Sequence, residues 1–259
     1  GDEGATAKAL ETLARLRVRG ARAFSSKAFR RYASARGGGE VIDAYVKLVK
    51  ATGGSNPVVC ALVNDAFVER RASARDVDET RKELLEVFCS VVLGGDAKVA
   101  KAGVTSAMFA SALEDVTSEE LRDVLIPKVI RQLRRSPEAT LPAVVGCFKT
   151  LRGDLSEACG EMGRVILPLV KHAKQERRAM SLEIIDALVA KSSDASLVKE
   201  HFFKPCADAF TTGMKPKEWT ARAGLYAAIK TCTNLTDRRA RETMSLEAIS
   251  VLTNELKTE

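Results

Sequence analysis

Two histidines, one tryptophan and three tyrosines are scarce equipment for a chain of 259 residues. His172 and His201 stand far apart, each without a cysteine or second histidine at ligand spacing, so no zinc site is legible. His172, among Lys171, Lys174, Arg177 and Arg178, reads as part of a solvated turn, and His201 as a helix-surface residue. No phosphate-binding loop, dinucleotide fingerprint or nucleophile elbow occurs. Paired carboxylates such as Glu119 and Glu120 open helices and complement the helix dipole, which accounts for them without catalysis. Six cysteines (Cys60, Cys89, Cys147, Cys159, Cys206, Cys232) include no C-x-x-C pair and fall mostly within apolar helical patterns; they read as buried thiols. No stretch approaches the ~18 to 20 apolar residues that span a bilayer, and the start lacks a basic-then-apolar signal layout. These absences give a non-enzymatic chain with no cofactor, metal, membrane partner or small-molecule substrate, placed in the cytoplasm.

Strand-like alternation is absent too, and what is present is helical periodicity repeated. Leu121, Val124, Leu125, Val129, Ile130 and Leu133 mark one amphipathic helix; Leu141, Val144, Val145, Phe148 and Leu151 mark a second. The pattern restarts at Asp154, with Leu155, Met162, Val165, Ile166 and Leu169, then Met180, Ile184, Ile185 and Leu188. Thr117 with Glu120, Asp154 with Glu157, and Asp76 with Glu79 have capping-box spacing. Ser136 reads as an N-cap and Pro137 as a first helical residue. Pro127, Pro168 and Pro205 each fall about a dozen residues into the first helix of a unit, which predicts a built-in bend. A period of about 40 residues with two helices per unit is that of HEAT or armadillo arrays.

The fold class is therefore all-α: an α-solenoid of about six and a half stacked hairpins in one continuous segment over 1–259. Helices are expected over Glu3 to Arg17, around Phe24, Phe29 and Tyr32, over Val41 to Leu48, Val58 to Val68, from Asp76 through Val91, and from Val99 to Leu113. Beyond the central units come Leu197 to Phe210, Trp219 to Cys232 and Arg238 to Leu256. Trp219 is expected to pack at a repeat junction. The chain starts at Gly1 and its last helix runs to the end, so it reads as a piece of a larger protein.

Acidic residues are missing altogether between Thr12 and Gly39, whereas Arg15, Arg17, Arg19, Arg22, Lys27, Arg30, Arg31 and Arg36 are all positive. Those eight exceed the formal net charge of +7 by one, so the basicity is concentrated in the hairpin at 1–36. Turns within later hairpins carry Arg134 and Arg135, then Lys171 and Lys174, then Lys215 and Lys217; equivalent turns of a solenoid stack, which would make a positive ridge. Such surfaces attract phosphate backbones or acidic protein tails in a salt-dependent way, although basic turn residues also serve solubility and helix C-termini. The aromatics near these charges, Phe24, Phe29 and Tyr32, read as helix-face residues and not as the interleaved base-stacking platform that sequence-specific RNA reading requires.

Leu125-Ile126-Pro127, Leu133-Arg134-Arg135-Ser136-Pro137-Glu138, Asp154-Leu155-Ser156 and the run from Leu188 to Ser196 resemble the N-terminal HEAT-repeat region of the general-control translational activator. That family is the ribosome-bound activator of the starvation-responsive kinase of translation initiation factor two, and the resemblance covers about 110 to 235. It implies a scaffold contacting the ribosome, through rRNA or acidic ribosomal proteins. A protein kinase and an ABC-type ATPase would be bound elsewhere in the parent protein. The alternatives are a tubulin-binding HEAT array, which would carry an exposed aromatic in its first intra-hairpin turn, whereas the turn near Val18 to Ala21 has none and Trp219 lies late in the chain, and a transport-receptor or phosphatase-scaffold array binding acidic peptides.

Overall fold

Helical periodicity becomes helices throughout, and a computed structural model describes residues 2–94, 96–211 and 218–258 with no strand among them. The chain divides into two compact units, one ending at Val116 and the other beginning at Thr117.

The first unit contains α1 (Asp2–Val18), α2 (Arg22–Ala35), α3 (Gly39–Thr52), α4 (Val63–Ser73), α5 (Val77–Val87), α6 (Ala97–Lys101) and α7 (Ala110–Glu114). Leu10, Phe29, Tyr45, Phe67, Leu84 and Phe88 are fully buried and form its core. The helix expected over Val58 to Val68 begins instead as a 3-10 turn, Pro57–Leu62. Tyr45 pins that turn: its hydroxyl donates to the Val59 carbonyl at 2.5 Å and accepts from the Leu62 N–H at 3.2 Å. Burial pushes the Tyr45 phenol well above its usual range, keeping it a neutral donor. Asp76 does not complete a capping box. It adopts a left-handed φ of 47° and its side chain makes no cap bond to α5. Nor does one helix run from Val99 to Leu113; the chain turns at Gly103, where φ is +70°, and resumes as a 3-10 turn before α7.

The second unit contains α8 (Ser118–Glu120), α9 (Ile126–Arg135), α10 (Pro137–Thr150), α11 (Cys159–Val170), α12 (Gln175–Ala190), α13 (Ala195–Val198), α14 (Lys204–Thr211), α15 (Trp219–Cys232) and α16 (Arg238–Thr258). The second helices α10, α12 and α15 pack in succession, and α9 packs on α11, the arrangement of a solenoid. The Thr117 box forms as expected: Thr117 Oγ1 accepts from the Glu120 N–H at 3.2 Å, and Glu120 Oε2 accepts from the Thr117 N–H at 3.0 Å.

Two of the three recurrent prolines are accommodated by π turns. Leu121–Leu125 and Lys199–Phe203 each close an i to i+5 bond just ahead of Pro127 and Pro205, respectively. A proline ring normally collides with the carbonyl four residues back, and the wider turn makes room for it. Pro168 lies within α11 near its C-terminal end. Ser136 occupies the N-cap position of α10 without a side-chain cap bond, while Pro137 takes the first helical position.

Asp154 makes no box with Glu157. Its Oδ1 accepts from the Ser156 N–H and from the Ser193 N–H, both at 3.0 Å, and Oδ2 accepts from Ser193 Oγ at 2.5 Å. Consecutive inter-hairpin turns are thereby tied together. Lys191 reinforces the same edge, donating to the carbonyls of Phe148, Lys149 and Leu151 at 2.7, 2.8 and 2.5 Å. His201, half-buried, lies against the glycine face of α11; a Cβ at Gly160 would stand 3.3 Å from its Nε2. It belongs to a packed joint more than to an open surface.

Candidate functional site

Burial and pairing divide the basic residues into structural and available ones. In the first unit Arg17 is structural: Nη1 lies 2.9 Å from Asp65 Oδ2 and donates to Ser26 Oγ at 2.5 Å. Arg30 pairs with Glu69 at 3.2 Å, and Arg15 lies 3.9 Å from Glu11. The Arg36 guanidinium sits over the Tyr32 ring, 5.7 Å from its centroid.

Arg19, Arg22, Lys27 and Arg31 are exposed and make no ion pair among the described residues. Arg19 and Arg22 flank the α1–α2 turn, and Lys27 and Arg31 follow along α2 at i+3 and i+7 from Phe24; Phe24 is 64% exposed and Val18 39%. The periodicity assigned Phe24 to the apolar face of α2, yet Phe29 and Ala33 form that face and Phe24 lies off it. An exposed aromatic among unpaired cations is an arrangement suited to an anionic surface with apolar contacts.

In the second unit the turns at Arg134–Ser136 and at Lys171–Lys174 do lie side by side, because Lys174 and Arg177 both pair with Glu138 at the start of α10. Lys174 shares Glu138, a residue the sequence offered only as part of a turn motif, with Arg177, so one carboxylate meets two cations. Those two hydrogen bonds hold the Glu138 carboxyl below its ordinary range. Arg178 is also structural, donating to the His172 and Ala173 carbonyls at 2.7 and 2.6 Å beyond the end of α11. His172 is hydrogen-bonded as well: its Nδ1 accepts from the Lys174 N–H at 3.0 Å. Lys171 is exposed, as are Arg134 and Arg135, and none of the three makes an ion pair among the described residues. Lys215 and Lys217 lie outside the described residues.

All six cysteines are buried free thiols, and no cluster of histidine, cysteine or carboxylate that could hold a metal occurs among the described residues. No described helix is long and apolar enough to cross a membrane. Trp219 departs from its expected packing. It is 63% exposed, with the Arg222 guanidinium 5.6 Å from its ring centroid.

Residues 81–215 match the family described as stalled ribosome sensor GCN1 N-terminal. The chain belongs to that family. Its helical, hairpin-stacked second unit and the distribution of its turns agree with the family's resemblance to HEAT arrays. The Arabidopsis thaliana protein ILITYHIA is 31% identical over 94 residues, which are 36% of this chain and 4% of that protein. The match thus spans a small part of the length of its curated relative. No solved structure matches.

Proposed function

We propose that the chain is a non-enzymatic scaffold segment of a ribosome-associated translational activator acting in the amino-acid starvation response, and that it contacts the ribosome through basic surfaces. The observation that carries this reading is the set of exposed, unpaired cations Arg19, Arg22, Lys27 and Arg31, which run from the α1–α2 turn along α2 on either side of exposed Phe24. Family membership supplies the ribosome as the anionic partner. Exposed charges that are not spent on intramolecular pairs release counterions when they meet phosphate, so affinity should fall steeply with salt. Arg134, Arg135 and Lys171 extend the contact on the second unit. The kinase and the ABC-type ATPase of the pathway bind elsewhere in the parent protein.

The test is sedimentation with purified ribosomes across a salt series, beside a microtubule control. Charge reversal at Arg19, Arg22, Lys27 and Arg31 should weaken ribosome binding by more than about tenfold at low salt while leaving helicity unchanged. Undiminished binding would remove the basic turn from the contact. Exposed Phe24 lies in the first turn of α2, next to the intra-hairpin turn in which a tubulin-binding array would carry its aromatic. Binding to microtubules and not to ribosomes would favour that second reading.

A further inference from the structure

A groove of about 740 Å³ runs between α9 and the start of α11 in the second unit. Pro127, Ile126 and Ile130 form its apolar floor, and Arg131, Arg134 and Arg135 rise from the same helix along one wall. Residues at 127, 131 and 134 recur at i, i+4 and i+7, which places them in one stripe along α9. Glu157 and Glu161 face them from the opposite wall.

The two walls are not equivalent electrostatically. The carboxylates already have cations: Glu157 lies 3.7 Å from Arg122 and Glu161 lies 3.0 Å from Arg164. Asp154, also lining the groove, is held by Ser156 and Ser193. Arg131, Arg134 and Arg135 make no side-chain hydrogen bond or ion pair among the described residues. Arg134 and Arg135, in the last turn of α9, interact favourably with its dipole, but their donors and those of Arg131 remain free for a partner.

We propose that this groove binds an acidic peptide segment of a partner protein, carboxylates against the three arginines and an apolar side chain over Pro127 and Ile130. Charge complementarity selects an anionic occupant, and the apolar floor selects one that carries hydrophobic residues. A nucleic-acid strand is disfavoured because no aromatic side chain lines the groove for base stacking. The inference deepens the proposed ribosomal role only in naming the source of the peptide as an acidic protein segment; the groove's chemistry stands independently of it.

The experiment uses fluorescence anisotropy of this chain with three probes: a short synthetic peptide of Glu and Asp containing Leu and Phe, an oligo-glutamate of equal charge, and a single-stranded oligonucleotide. The first should bind at least about tenfold more tightly than either of the others. Arg131→Glu with Arg134→Glu should abolish that preference, whereas Lys98→Glu with Lys101→Glu, an equal reversal on α6, should leave it unchanged. Circular dichroism verifies that both variants fold. Equal binding of the apolar-acidic peptide and oligo-glutamate, preferential binding of the oligonucleotide, or an unaffected Arg131/Arg134 variant would overturn the proposal. Sedimentation with ribosomes reads the functional proposal separately: a chain that pellets with ribosomes yet shows no peptide preference loses the groove alone. One that prefers the peptide but does not pellet keeps the groove and loses the ribosomal role.

Discussion

Asp154 accepts a hydrogen bond from the backbone N–H of Ser193, thirty-nine residues further along the chain, at 3.0 Å. This bond and its neighbours join two successive inter-hairpin turns, so a side chain that starts one hairpin also organises the start of the next. Repeat interfaces in a solenoid are usually treated as apolar packing; here the edge is polar and specific.

Acid should loosen that clamp. Partial burial raises the Asp154 carboxyl, but hydrogen bonds from Ser193 and Ser156 outweigh it and bring the group down to about 2. A carboxyl depressed in the folded state contributes stability above its unfolded value near 4 and loses it as pH falls towards 2. Solvent screening at this exposed site reduces the effect to about 1 kcal/mol. Urea midpoints of Asp154→Asn should lie below the parent's at pH 7 and converge with them at pH 2; a gap constant with pH would show that the charge is irrelevant.

Lys191 presents a second edge prediction. Its ammonium meets three carbonyls at the end of α10, and Lys191→Met leaves them without that donor. The loss should be about 1 to 3 kcal/mol in chemical denaturation, with an unchanged m-value.

Gly224 is where α15 crosses α11. A Cβ there would stand 1.8 Å from the Val170 carbonyl oxygen, a backbone atom that cannot turn aside. Gly224→Ala should cost about 3 kcal/mol or more despite the better helix propensity of alanine, read as a lowered melting temperature. A stabilised variant would show that the two helices can part without penalty.

Cysteine reactivity offers a readout of folding. Burial pushes the Cys60 and Cys206 thiols to about 12, so little thiolate exists near neutral pH. Native protein at pH 8 should react slowly with a disulfide reagent, and all six cysteines should react once denatured. Rapid labelling of native Cys206 would mean that its surroundings open readily.

Much of the helix inventory was legible in order along the chain. Ile126, Val129, Ile130 and Leu133 are buried as their spacing required, and Thr117 with Glu120 forms a box whose partners are three residues apart. The same spacing misled at Asp154 and Asp76, because an N-cap oxygen takes the best available donor, and at Asp154 that donor came from another hairpin. The candidate site was less legible. Arg17 and Lys174 counted as free charges in the sequence but pair with Asp65 and Glu138, while Arg131 went unnoticed beside its neighbours. Phe24 marked a helix together with Phe29 and Tyr32, and only packing shows that α2 buries Phe29 and leaves Phe24 outside.

Periodicity, turn residues and the run of cations without acids are local properties, encoded within a few residues of one another, and the sequence by itself determined them: an all-helical chain of hairpins with a basic beginning. Which cations stay available, which carboxylates become clasps and where a groove opens were decided by the tertiary structure alone. Those outcomes depend on side chains brought together from hairpins tens of residues apart, and Coulombic and hydrogen-bonding energies fall off over a few ångströms of space, irrespective of distance along the chain.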